Sequence, residues 1–181
     1  DIKPANVWLE GTAGKVKITD FGLARAVDDA SLSQTGAVMG TPLFMAPEQA
    51  RGESLDHRAD LFSLGAVMYA MCSGSSPFKA GNSLAGLKRV CYDEPAPLGG
   101  RIPSGLERLI MRLLEKDPAY RFQTATEVAE QLGNRLNRMR RGVDDSPTDF
   151  VAPASRDNRS RRSAWIGASS LAAALLIGGI V

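Results

Sequence analysis

Histidine and cysteine are nearly missing from this sequence, and each scarcity closes off a class of chemistry. His57 is the single histidine, and Cys72 and Cys91 are the only cysteines, with no CxxC pair. Such a set cannot build the usual zinc arrays or a disulfide framework. Two thiols among apolar neighbours read instead as reduced, buried cysteines of a cytosolic domain. Excess charge is missing too. The formal net charge is +2, from 22 Lys and Arg against 20 Asp and Glu, which is too small to argue for nucleic acid as a partner. An initiator methionine is also absent. The chain opens on Asp1, directly in motif-like sequence, so the expectation is that the protein continues upstream.

What is present is unevenly distributed. Arginines gather late, at Arg135, Arg138, Arg140, Arg141, Arg156, Arg159, Arg161 and Arg162. After them residues 164–181 carry no charge and are mostly Leu, Ile, Ala and Gly. About 20 apolar residues span a bilayer, so this run reads as a transmembrane helix cut by the end of the chain. The basic run beside it reads as a membrane-surface feature, with a solvated linker as the other reading. Residues 141–163, rich in Asp, Ser, Pro and Arg, cannot bury enough surface to fold alone and form the linker between the two.

Residues 1–140 read as the folded part. Asn6–Leu9 and Lys15–Thr19 are short apolar-alternating runs around Gly11-Thr-Ala-Gly14, a β-hairpin pattern. Residues 28–40 are polar and small and predict a long loop. Helices follow at 60–72, with Leu61, Leu64, Val67, Met68 and Met71 on one face, and at 83–92, 104–116 and from 124 onward. The last is striped by Val128, Leu132 and Leu136. Ser104 with Glu107, and Thr124 with Glu127, have capping-box spacing. These stripes are expected to be core.

Three motifs stand in order: Asp1-Ile-Lys3-Pro-Ala-Asn6, then Asp20-Phe-Gly22 after a predicted strand, then Gly40-Thr-Pro-Leu-Phe-Met-Ala-Pro-Glu48. Each is weak alone; their order, spacing and strand context are specific. Phosphoryl transfer needs what they supply. One carboxylate orients a hydroxyl and takes its proton. A second carboxylate and an amide oxygen hold magnesium, and a lysine offsets charge on the moving phosphoryl group.

These residues resemble the catalytic loop, magnesium loop and activation segment of the eukaryotic-like (Hanks-type) protein kinases. The resemblance covers residues 1 to about 140. It implies an α+β protein-kinase-like fold, of which this chain carries the mainly helical C-terminal lobe and a small β-hairpin. It implies ATP and Mg2+ as cofactors, Asp1 as catalytic base, Lys3 as the phosphate-contacting lysine, and Asn6 and Asp20 as magnesium ligands. The Lys two residues past the base marks the serine/threonine branch. Asp60 resembles the aspartate that fixes the catalytic-loop backbone. Glu48 and Arg121 resemble the pair that anchors the activation segment. Thr41 is expected to position substrate. Ser33 and Thr35 are expected phosphosites, with Arg25 as one candidate partner for their phosphates.

Pro47-Glu-Gln-Ala-Arg-Gly52 and the linker into one apolar helix lean towards the bacterial membrane-anchored receptor-like kinases. The partners so implied are ATP, Ser/Thr protein substrates, the lipid bilayer and a second copy for autophosphorylation, with the kinase domain cytoplasmic on a single-pass membrane protein. Two departures stand out. Phe44 sits where the family often has Tyr. The glycine-rich loop and ATP-anchoring lysine are not in this chain, so the fragment alone is expected to be nearly inactive and to expose apolar surface. A pseudokinase scaffold of the same fold is the alternative reading.

Overall fold

The computed structural model describes residues 2–12, 14–19, 43–100 and 102–142. They begin with a single 3-10 turn, Pro4–Asn6, where Pro4 fits the first position because its missing N–H has no partner there anyway. A hairpin follows, β1 (Val7–Glu10) antiparallel to β2 (Lys15–Ile18), with Val7 opposite Ile18 and Glu10 opposite Lys15. Gly11 at φ +67° and Gly14 at φ +64° supply the left-handed turn residues. At the open end, Thr19 N–H donates to Asn6 O at 2.9 Å. The hairpin is therefore tied to the turn that carries Asn6.

Strand alternation puts Val7, Leu9, Val16 and Ile18 on one face and Trp8, Glu10, Lys15 and Lys17 on the other. The apolar face is not covered: Leu9 is 72% exposed and Val16 59%. Trp8 is exposed on the opposite face. The expectation of open apolar surface holds here.

The helices are α1 (Pro47–Ala50), α2 (Arg58–Ser73), α3 (Ser83–Tyr92), α4 (Ser104–Leu113) and α5 (Ala125–Arg140), with a 3-10 turn at Pro118–Tyr120. The central helix α2 buries residues nearly all round, including Leu61, Phe62, Ala66, Val67 and Tyr69, as expected of a helix inside a lobe. Gly74, at φ +80°, ends it and donates its N–H to Ala70 O. One core cluster joins Phe62, Ala66 and Tyr69 to Phe78, Val90, Ile110 and Leu114. A second joins Leu61 to Leu109, Leu113, Phe122 and Val128. The Phe62 and Phe78 rings stack with centroids 5.9 Å apart.

Several expectations need correction. Ser104 is not an N-cap: Pro103 takes that place without a side-chain cap. Glu107 instead accepts the Leu98 N–H at 2.6 Å. Thr124 does cap α5, accepting from Glu127 N. The Glu127 carboxylate takes the N–H of Gln123, one residue early for a capping box. Met71 and Leu136 continue their stripes in sequence but are not core, being 79% and 49% exposed. The packed neighbours end before those turns do. Cys72 and Cys91 lie on helices and are free thiols, but only half-buried. Among the described residues no helix is long and apolar enough to cross a membrane. The transmembrane expectation falls on residues 164–181, outside those described.

At Gly65, α2 packs tightly against the end of α4. A Cβ built there would lie 2.6 Å from Leu113 Cβ and 3.4 Å from Leu114 Cδ2. Gly65→Ala is expected to lower unfolding free energy by about 1–3 kcal/mol through overpacking. Urea unfolding checks it, and a midpoint equal to wild type would contradict this close approach.

Candidate functional site

Asn6 is the buried residue of the first turn, only 4% exposed, and its N–H donates to Lys3 O at 2.9 Å. The turn thus brings Lys3 and Asn6 together, with Lys3 half-buried in extended backbone just before it. Asn6 offers an amide oxygen, a hard donor of the kind magnesium takes. Asp1 and Asp20, the expected base and second magnesium ligand, lie outside the described residues. So do Thr41, Ser33, Thr35 and Arg25. Among the described residues no group of three or more His, Cys, Asp or Glu could hold a metal ion. Asn6 alone of the expected ligand pair is therefore placed.

Of the motif that ends at Glu48, residues 43–48 are described. Arg121 is 0% exposed and Glu48 4%. Arg121 Nη1 donates to Glu48 Oε1 at 2.6 Å and to Arg58 O at 2.9 Å. Nη2 donates to Glu48 Oε2 at 2.7 Å and to Lys116 O at 3.2 Å. Nε donates to Glu115 O at 2.8 Å. Every guanidinium N–H has an acceptor, and the fork meets the carboxylate with both arms. The guanidinium also lies 5.0 Å from the Phe62 ring centroid. Taking both ions out of water costs several kcal/mol each, so the pair holds only because every hydrogen bond is made. It ties α1 to α2 and to the segment after α4.

Two hydroxyls that carried no sequence signal hold the stretch before α1. Ser63 Oγ donates to Phe44 O at 2.8 Å, and Ser76 Oγ donates to Leu43 O at 2.9 Å. Phe44 packs against the first core cluster. Lone serines have no periodicity, so only their position in Ser63-Leu-Gly65 and Ser76-Pro-Phe78 could have drawn attention. Asp60 lies in the first turn of α2 and is exposed; an acid there favours the helix dipole. His57 Nε2 donates to Gln123 O at 2.7 Å, which tethers the start of α2 to the turn before α5. Beside it Asp56 binds Arg58 through side chain and backbone, which holds its carboxyl down to about 2.

Lys116 was also missed. The residue is 7% exposed, and its ammonium donates to Val90 O at 2.6 Å and sits 3.7 Å from the Phe78 ring centroid. Burial pushes it down to about 8. Val90 is in the last turn of α3, whose carbonyls lack helical partners. Lys116 caps that helix from the core side and so links α3 to the segment that carries Arg121.

Arg121→Met leaves the Glu48 carboxylate buried and unpaired. The expected loss is about 3–5 kcal/mol of unfolding free energy, measured by urea unfolding. A loss under about 1 kcal/mol, the range of exposed ion pairs, would contradict the buried geometry.

Comparison with known proteins agrees with the geometry. The family model described as "Protein kinase domain" matches residues 1–132. The chain is 39% identical over 147 residues to a probable serine/threonine-protein kinase PknB of Corynebacterium glutamicum, covering 76% of this chain and 22% of that protein. It is 39% identical over 137 residues to the serine/threonine-protein kinase PknB of Mycobacterium tuberculosis, covering 73% and 22%. A probable serine/threonine-protein kinase of Clostridium perfringens is 39% identical over 135 residues, covering 73% and 20%. The chain thus spans about a fifth of the length of the curated relatives it matches. The described residues hold the helical core of this fold with its small antiparallel hairpin, and the chain belongs to the protein kinase domain family.

Proposed function

We propose that this chain is the catalytic C-terminal part of a serine/threonine protein kinase, transferring the γ-phosphate of ATP to Ser and Thr hydroxyls of proteins. The observation that carries the reading is the Asp1-x-Lys3-x-x-Asn6 motif. Its turn buries Asn6 and ties it to the hairpin that leads to Asp20-Phe-Gly22. In the reaction the substrate hydroxyl oxygen forms a bond to the γ-phosphorus, and the bond from that phosphorus to the bridging oxygen of ADP breaks. Asp1 takes the hydroxyl proton. Lys3 offsets charge on the transferred group. Asn6 and Asp20 would hold Mg2+, which neutralises phosphate charge when bound. The segment pinned by Ser63, Ser76 and the Glu48–Arg121 pair follows Thr41, which positions substrate in this reading. The apolar hairpin face is the surface that an upstream lobe and the nucleotide would cover. Without that lobe the 181-residue chain is nearly inactive, because positioning supplies most of the catalysis.

Ser33 and Thr35 are the regulatory sites in this reading. Each phosphate adds about −1.5 to −2 charge and pairs with arginine, ordering the loop. In the complete kinase with Mg2+ and ATP, mass spectrometry should find phosphate on a Ser/Thr substrate and on Ser33 or Thr35. Asp1→Asn should lose both while still binding ATP. Wild-type turnover in Asp1→Asn would remove Asp1 as base, whereas no phosphate transfer by the unmutated kinase would leave the scaffold reading.

The same reading places residues 164–181 across the cell membrane in a single pass. The arginine-rich side, with the kinase domain, then faces the cytoplasm, where ATP is. Protease added outside intact cells should leave residues 1–140 whole; digestion there would reverse the orientation.

A further inference from the structure

Helix α5 is longer than the core that supports it. A helix turns about 100° per residue, so Val128, Leu132, Leu136 and Met139 fall within one sector of about 80°. Val128 is buried at 2% and Leu132 is half-buried, but Leu136 is 49% exposed and Met139 57%. The apolar stripe runs off the lobe. Arginines replace acids where it does so. Residues 131–142 hold Arg135, Arg138, Arg140 and Arg141 and no Asp or Glu. Arg138 and Arg140 flank the sector on either side, and Arg140 and Arg141 are exposed. An apolar strip edged by arginine is the pattern of helices that lie in a membrane interface.

We propose that the C-terminal end of α5, Arg135–Arg140, docks on an anionic phospholipid leaflet, with Leu136 and Met139 entering the acyl boundary and the flanking Arg138 and Arg140 meeting lipid phosphates. The proposal deepens the membrane-anchored reading and rests on it for its setting. Charge complementarity selects this occupant. The net charge over residues 131–142 is that of four arginines, and about 22 residues further on the arginine-rich run gives way to the uncharged segment 164–181. Whatever its conformation, a stretch of about 22 residues spans at most about 80 Å. An anchored chain therefore keeps the end of α5 near the leaflet, where even a weak site is occupied.

Met139 supplies the probe, because its thioether is open to peroxide oxidation and burial in lipid would shield it. Met71, 79% exposed at the end of α2, reports the oxidant supply. The full chain is reconstituted on neutral vesicles and on vesicles with about 30% anionic lipid, a composition that gives a surface potential of tens of millivolts. Oxidation of Met139 relative to Met71 should slow about fivefold on the anionic vesicles, the effect of roughly one arginine's worth of surface attraction. Arg140→Gln should abolish the slowing; Met139 is untouched, and flotation on neutral vesicles should be unchanged. Equal oxidation on both vesicles overturns the proposal. Shielding that grows with protein concentration without vesicles assigns the face to a second copy and overturns it. Shielding already complete without vesicles at any concentration assigns it to residues 143–163 and does the same. Failure to float on neutral vesicles, with anionic shielding intact, overturns the anchor and supports the docking surface.

Discussion

A buried guanidinium–carboxylate fork holds this lobe together. Glu48 lies in α1, and Arg121 comes 73 residues later. Between them lie α2, α3 and α4, so the pair closes the longest loop of helical structure in the described chain. Arg121 also takes the carbonyls of Arg58, Glu115 and Lys116. One side chain therefore reads the positions of α1, the start of α2 and the segment after α4. A hydrophobic side chain of similar size would fill the space, but it could not fix those three backbone segments in register. Burial of charge is weak evidence for stability in itself; here its clearer consequence is geometry.

That geometry is what a phosphoryl-transfer site requires. There is little covalent chemistry for the protein to do, so catalysis rests on holding groups in place. The fork sets α1, Ser63 and Ser76 hold Leu43 and Phe44 just before it, and Lys116 ties α3 to the same segment. At the other end the Pro4–Asn6 turn and the hairpin set Asn6 and Lys3. Both ends are held by backbone and buried polar contacts that leave few alternative arrangements, while the hairpin's apolar face stays open.

Much of this was legible in the sequence. Resemblance to the kinase motifs named Asn6, Glu48 and Arg121, and the structure joins the last two. Glycine pairs and alternation placed the hairpin, and α3 runs over the residues expected. The failures share one cause, the neighbour that local patterns cannot see. Ser104 and Glu107 have capping spacing, but Leu98 lies close enough to claim the glutamate. Met71 and Leu136 keep the helical period past the point where packed partners end. Lys116 reads as a surface lysine until α3 and Phe78 close over it. Ser63 and Ser76 carry no pattern at all, because a single hydroxyl on a distant carbonyl leaves no trace in spacing.

A double-mutant cycle on Glu48 and Arg121 tests the central claim, read both as unfolding free energy of the complete kinase and as its rate of phosphate transfer. Glu48→Met and Arg121→Met each strand a buried charge, whereas the double variant strands none. The account predicts strong coupling, with the double variant more stable than either single variant, as buried pairs behave. It also predicts that the double variant transfers phosphate more slowly than wild type, because apolar contact does not restore the register of α1. Additive losses in stability, or wild-type turnover in the double variant, would contradict it.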